Sequence, residues 1–361
     1  MPASRNVAAV PRTLVLQGPR DLAVRDEPGR APGRGEVRVR SLLSAVSHGT
    51  ELALYRGSSP FGERVFDRGL RAFAPASEGE RHYPAALGYE TVGVVEEVGP
   101  GVTGVAAGAI LHVGAPHADE TVVDLAAGGA YPPVILPWND HLERGAYVSV
   151  GAVALQAIHD APIRLGAAVA VVGLGAVGLL ALQMARLAGA AHVVALDLSP
   201  VRRELALSLG ADEAHDPRLD PDGPGAAYKR SAGRGVDVAL ETSGSDAGLH
   251  DAIACTGLGG TVVTVGFYQG GAARLRLGEE WHHNRLTMVS SMGAWDAPHR
   301  DHPAWTRPRI MQTVVDLLGS GTVRIDQLPV RRFAFEEAPE AYAWLDRHPD
   351  DALKLILTHG R

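Results

Sequence analysis

Three glycines constrain this chain more than any other feature. Gly173-Leu174-Gly175-Ala176-Val177-Gly178 follows the uninterrupted apolar run Ala168–Val172 and opens a helical pattern over Leu179–Leu187. Such a run fits a strand buried on both faces of a parallel sheet. A second buried run, His192–Leu196, ends at Asp197, 19 residues beyond Gly178. Glycine is abundant here, at 43 residues, so the string alone says little. Strand before, helix after and an acidic residue closing the next strand give it meaning as a dinucleotide site. Gly173 permits the tight turn, Gly175 the approach of a pyrophosphate, and Gly178 close packing of helix on strand. Ala176 and Val177 begin the helix whose free N–H groups would face the phosphates. Asp197 suits two ribose hydroxyls and opposes a 2′-phosphate, which makes NAD the expected cofactor. Arg202 and Arg203 lie just beyond and soften that preference. The bland alternative is a glycine-rich turn that binds nothing.

Alternation continues after the fingerprint, with a helix over Arg202–Leu209 and strands over Val236–Leu240 and Gly260–Gly266. Buried strands alternating with helices predict a doubly wound α/β domain with right-handed crossovers. Up to about residue 155 the texture is different. Glu36–Arg40 alternates as a half-buried strand does, Thr91–Gly99 ends in a Gly-Pro-Gly turn, and Ser58–Tyr83 reads as a long loop or lid. Beyond about residue 297 come helices over Ile310–Leu318 and Phe335–Arg347, then a strand over Leu353–Leu357. The net charge of −7 carries no basic surplus, so neither nucleic acid nor a membrane is an expected partner. One cysteine, Cys255, excludes a disulfide framework and any cysteine-rich zinc site, and is read as a small core residue. The uncharged stretch Ala167–Leu182 is shorter than the roughly 20 residues of a spanning helix and is divided by the glycines. No secretory leader is legible, so the expected location is cytoplasmic.

Further segments then fall into place together: His48-Gly49-Thr50-Glu51, Leu87-Gly88-Tyr89-Glu90 with Val92-Gly93-Val94-Val95, Arg164-Leu165-Gly166, and Val265-Gly266-Phe267-Tyr268. In order and spacing they resemble the medium-chain dehydrogenase/reductase superfamily over nearly the whole chain. That superfamily holds the zinc alcohol dehydrogenases and the quinone and enoyl reductases. The resemblance implies a Rossmann NAD-binding domain, residues 159–296, inserted into a GroES-like β-rich catalytic domain built from residues 1–158 and 297–361. It implies cofactor contacts from Thr242, Val265, Gly266, Phe267, Ser290 and Ser291, with Lys354 reaching the pyrophosphate. It also implies a small-molecule substrate and a homodimer or homotetramer.

The departures from the zinc enzymes matter more. His48 stands where their first ligand, a cysteine, would be, Tyr89 replaces the histidine of Gly-His-Glu, and Ser149 aligns near the third ligand. A catalytic zinc needs three good protein ligands and an open position, so no metal is expected. A nonstandard site from His48, Glu90 and another histidine is the alternative. Without a metal, a positioned acid must stabilise negative charge on the substrate oxygen. Tyr89 or His48 is the expected proton donor, Thr50 the relay, and Glu90 or Glu51 the orienting carboxylate, Glu51 being the more structural of the two. A Tyr89 that merely lines the cleft is the competing reading. The same motif pairing is similar to the branch that includes bacteriochlorophyllide dehydrogenase. The expected function is thus a zinc-independent, NAD(H)-dependent alcohol/carbonyl oxidoreductase of specialised metabolism. A reductase of activated C=C bonds and a non-catalytic redox sensor are the alternatives. His282 and His283, read on a strand, point to opposite faces and suggest a subunit interface. Gly293–Arg309, rich in His, Trp and Pro, reads as a loop near the cleft.

Overall fold

The computed structural model describes residues 10–62, 64–76, 83–126, 128–219, 224–292 and 304–360. Its spine is the strand Glu36–Val46, whose burial alternates before becoming continuous where the strand enters the core. Thr91–Val98, Glu120–Asp124 and Lys354–Thr358 all pair with it antiparallel. In the last of these pairings Leu355 faces Val46 and Thr358 faces Leu43. The chain's end therefore completes a sheet begun near its start. Leu355, Ile356 and Leu357 are wholly buried there, each contributing roughly 2 kcal/mol of apolar burial to that closure.

Six parallel strands form the second sheet, in spatial order Glu213–His215, His192–Leu196, Ala168–Val172, Val236–Glu241, Thr256–Thr264 and Thr287–Ser290. Its central strand shows why an unbroken apolar run is needed. Val169 and Val171 enter the core on one face, while Ala168, Ala170 and Val172 enter the core on the other. Strand order reverses between Ala168–Val172 and Val236–Glu241, and a crevice at the carboxyl ends of such strands is where doubly wound sheets take ligands. Gly173 and Thr242 are its lips.

Some expectations change. Ser58–Tyr83 is no bare loop: Pro60–Gly62 forms a 3₁₀ turn, and Arg64–Asp67 pairs with Ala72–Pro75, Phe66 facing Phe73. His282 and His283 lie on the one-turn helix Glu280–His283, not on a strand, because the His283 N–H bonds back to the Glu279 carbonyl and the strand begins only at Thr287. Arg307–Gly319 shares a core with Val148–Asp160 beneath the parallel sheet. Trp295, His299 and His302 lie outside the described residues. Among the described residues no helix is long and apolar enough to cross a membrane.

Candidate active site

The glycine turn is built as a cradle. A methyl group on Gly178 would come within 1.9 Å of the Gly173 carbonyl, so helix and strand meet there only through glycine. At Gly175, by contrast, nothing lies within 4 Å of where a side chain would begin. That space opens at the N-terminus of the helix Ala176–Leu187, where Ala176 and Val177 leave backbone N–H groups free for phosphate. Asp197 accepts from the Leu174 N–H at 2.7 Å and the Ser199 N–H at 2.8 Å, which fixes its carboxylate at the end of the second strand. Arg203 donates to the carbonyls of Asp197 and Leu198 and pairs with Asp216. Arg202 reaches the other way, to the Pro349 carbonyl at 3.0 Å and to Asp350.

Across the crevice, Thr242 Oγ1 donates to the Val172 carbonyl at 3.1 Å. The N–H groups of Val265 and Gly266 both bond the Glu241 carbonyl. Phe267 is 40% exposed and stacks on Phe61 at 5.8 Å. Ser291 is anchored through its N–H to Thr264, with its hydroxyl buried and unpartnered, and Ser290 stands exposed beside it. Gln269 donates to the Gly49 carbonyl at 2.9 Å and so ties this wall to the His48 segment.

His48 sits between the spine strand and the helix Thr50–Arg56, its Nε2 buried without a partner. Burial, with Lys354 and Arg202 nearby, lowers its pKa to about 3, so the ring is neutral. Thr50 is exposed at the first turn of that helix. Tyr89 donates to Ser47 Oγ at 2.5 Å and stacks on Tyr131 at 5.0 Å, nearly parallel. Burial, reinforced by Tyr131, Glu90 and Glu51, holds its phenol well above the ordinary value. Tyr89 is therefore a neutral donor. Gly88 explains why the segment can turn here: its φ is +109°, and a side chain would strike the His117 backbone.

Lys354 corrects an expectation. As the first residue of the C-terminal strand it turns into the core, 2% exposed, and pairs with the wholly buried Glu90 instead of standing free for a pyrophosphate. Its ammonium lies 5.8 Å above the Tyr147 ring. Burial pushes Glu90 up and Lys354 pulls it back, while Glu90 Oε1 stays unpartnered. Ser149 is locked against His112 Nε2 at 2.9 Å, and the other nitrogen of that ring contacts the Gly145 carbonyl. Burial lowers His112 to about 4. Sequence reasoning missed Ser47, His112 and Tyr131. A histidine at an inward position of Ile110–Val113 was the one signal that could have found His112.

These donors do not make a three-ligand zinc site. His48 offers one nitrogen, Tyr89 is a neutral phenol already bonded to Ser47, Ser149 is held by His112, and an ammonium neutralises Glu90. The arrangement can hold a dinucleotide, and with Ser47 Oγ turned to donate to the phenol oxygen, the Tyr89 proton could reach a substrate oxygen.

Comparison with known proteins agrees with the architecture. A family described as zinc-binding dehydrogenase matches residues 176–305. The D-guloside 3-dehydrogenase of Shigella flexneri is 32% identical over 355 residues, covering 96% of this chain and 99% of that one. The (R,R)-butanediol dehydrogenase of Bacillus subtilis is 29% identical, over 87% of this chain and 89% of its own. A crystal structure of 2R,3R-butanediol dehydrogenase from the same species superposes with a TM-score of 0.76, at 24% identity, over 96% of this chain and 99% of that one.

Proposed function

Because the chain belongs to the zinc-binding dehydrogenases of the medium-chain dehydrogenase/reductase superfamily, we propose that it oxidises a secondary hydroxyl of a polyol or glycoside with NAD, reversibly and without a catalytic zinc. That it is an oxidoreductase interconverting alcohols and carbonyls with a pyridine nucleotide follows from its relatives. The finer reading rests above all on Tyr89, a neutral phenol hydrogen-bonded to Ser47 where the zinc enzymes carry a ligand. Asp197 supports NAD, since its charge would oppose a 2′-phosphate and both nearby arginines are already engaged.

Bound nicotinamide supplies the hydride acceptor or donor. Gly173, Gly175 and Gly178 shape the turn for its pyrophosphate, and Ser291 offers an unpartnered hydroxyl. When Ser47 turns its own hydroxyl proton onto the phenol oxygen, Tyr89 is released to donate to the substrate oxygen and stabilise the charge that develops there. Ser47 holds the phenol in place, and His48, neutral, lines the same cleft.

The decisive experiment follows deuterium from C4-labelled NADH into the product alcohol while zinc is measured in the same preparation. Deuterium on the carbinol carbon, with zinc far below one per chain and NADH bound more tightly than NADPH, is the expected result. One tightly held zinc per chain whose removal abolishes turnover would refute the zinc-free reading. Deuterium delivered to a C=C carbon would move the protein to the reductases.

A further inference from the structure

Four of the chain's six phenylalanines gather in one row outside the core. Phe267 stacks on Phe61, with centroids 5.8 Å apart and planes 14° from parallel. Phe61 lies 5.8 Å from Phe73, and Phe73 lies 5.2 Å from Phe66. Hairpin register accounts for the outer half of the row. Phe66 stands directly opposite Phe73, so both rings leave the paired strands Arg64–Asp67 and Ala72–Pro75 on one face. Phe61 belongs to the 3₁₀ turn Pro60–Gly62 just before the hairpin, and it bridges that face to the wall of the crevice.

The row starts at the cleft. Phe267 follows Val265 and Gly266, whose N–H groups are fixed on the Glu241 carbonyl, and Gln269 two positions on donates to the Gly49 carbonyl at 2.9 Å. The inner ring therefore borders the His48 segment, and the row runs outward from there along the hairpin. Phe267 stays 40% exposed and Phe73 44% exposed. Rings that served only to hold the hairpin down would turn that area inward, because apolar surface left in water forgoes the stabilisation that burial supplies. The hairpin is also built to hold its outer rings. Arg64 donates to the Phe73 carbonyl at 2.8 Å, and its guanidinium lies 6.0 Å from the centre of the same ring. The Arg71 guanidinium lies 5.6 Å from the centre of Phe66. Cation–π attraction restrains both rings while they remain at the surface.

An apolar row that opens from the cleft suits the part of a substrate that does not react. We propose that Phe267, Phe61, Phe66 and Phe73 form an aglycone subsite, so that the substrate is a glycoside and not a free sugar or an alditol. Its reacting sugar lies toward Tyr89, and its second ring lays an apolar face along the row. The placing of the reacting hydroxyl rests on the alcohol-oxidising reading above, whereas binding of the second ring needs no turnover. A flat ring with an apolar face is the chemistry required, and an aromatic aglycone and a second sugar ring both offer it. The exposed area favours such a ring over a second copy of the chain. Phe73 and Phe267 together leave on the order of 200 Å² of ring in water, enough for one ring and far below the roughly 800 Å² per partner of a stable protein interface.

Titration calorimetry on the whole chain loaded with NADH tests the subsite without catalysis. The probes are methyl and 4-nitrophenyl β-glycosides of D-glucose and D-gulose, with cellobiose as the sugar-on-sugar arm. A two-ring compound is expected to bind about tenfold more tightly than the methyl glycoside of the same sugar, the effect of one added ring contact. Which compound gains tells an aromatic aglycone from a second sugar. Phe73→Ser should erase the gain and leave methyl glycoside affinity unchanged, while Phe73→Tyr, which keeps a ring, should retain it. Equal affinities across the series, or a gain that survives in Phe73→Ser, overturn the proposal. So does 4-nitrophenol that binds alone as tightly as its glycoside, since the two halves would then not share one site. Sedimentation velocity covers the other occupant: wild type that self-associates through Phe73, with no gain from a second ring, assigns the row to a second copy and overturns the subsite. Turnover with NAD is read separately. A glycoside that shows the gain but is never oxidised refutes the alcohol-oxidising reading and leaves the subsite standing.

Discussion

At the scale of single residues, the proposed chemistry turns on keeping two groups neutral. Tyr89 is raised by burial, so it keeps its phenol proton across the neutral pH range. Tyr89→Phe should lower kcat on the order of a hundredfold while leaving NADH affinity, measured by fluorescence titration, unchanged. A variant with full activity would remove Tyr89 from the chemistry. His48, lowered to about 3, gives the rate profile no inflection near its ordinary 6.5. The same burial acts on stability. A histidine lowered on folding binds its proton more readily in the unfolded chain, so stability falls as pH drops below 6.5 and the loss levels off near the folded value. With His48 at about 3 and His112 at about 4, the melting temperature should decline steadily from pH 6.5 to pH 4. His112→Asn, which cannot titrate, should flatten that decline. An equally steep decline in the variant would show that other groups set it.

At the scale of elements, the βα turn was legible in the sequence and the surroundings of Tyr89, Ser149 and Lys354 were not, for a physical reason. The turn's requirements are local: Gly178 must lack a side chain because the Gly173 carbonyl is five residues away in the same turn. Gly178→Ala should therefore cost roughly 1–3 kcal/mol by overpacking and weaken NADH binding, which thermal melts and titration would show together. Unchanged binding would mean that the turn does not form the phosphate cradle. The strands Ala168–Val172 and His192–Leu196 were equally readable, because burial on both faces leaves an unbroken apolar run. The environments of Tyr89, Ser149 and Lys354 come instead from partners 42, 37 and 264 positions away. Local periodicity carries no trace of such contacts. Lys354 could be aligned with a pyrophosphate-reaching residue, but only the strand's direction shows that it turns inward. His282 and His283 were misread because one helical turn and a strand start look alike over four residues.

At the scale of the whole molecule, Glu90 and Lys354 join the first third of the chain to its C-terminal strand. They lie 264 residues apart, one beside Tyr89 and the other opening the strand that completes the sheet. Both are buried, at 0% and 2% exposure, so their pairing replaces hydration that neither retains. Its net contribution to stability is small, because desolvation cancels most of the attraction, but breaking it leaves a bare charge in the core. Lys354→Met should therefore destabilise the protein by about 3–5 kcal/mol, and the Tyr147 ring would lose the cation above it. Glu90→Gln in the Lys354→Met background removes the stranded charge and should recover much of that loss, a recovery that neither substitution alone could produce. Urea unfolding of the single and double variants measures the coupling directly. Losses that simply add would show that the two side chains do not depend on each other, and that the sheet closes through the apolar contacts of Leu355, Ile356 and Leu357 alone.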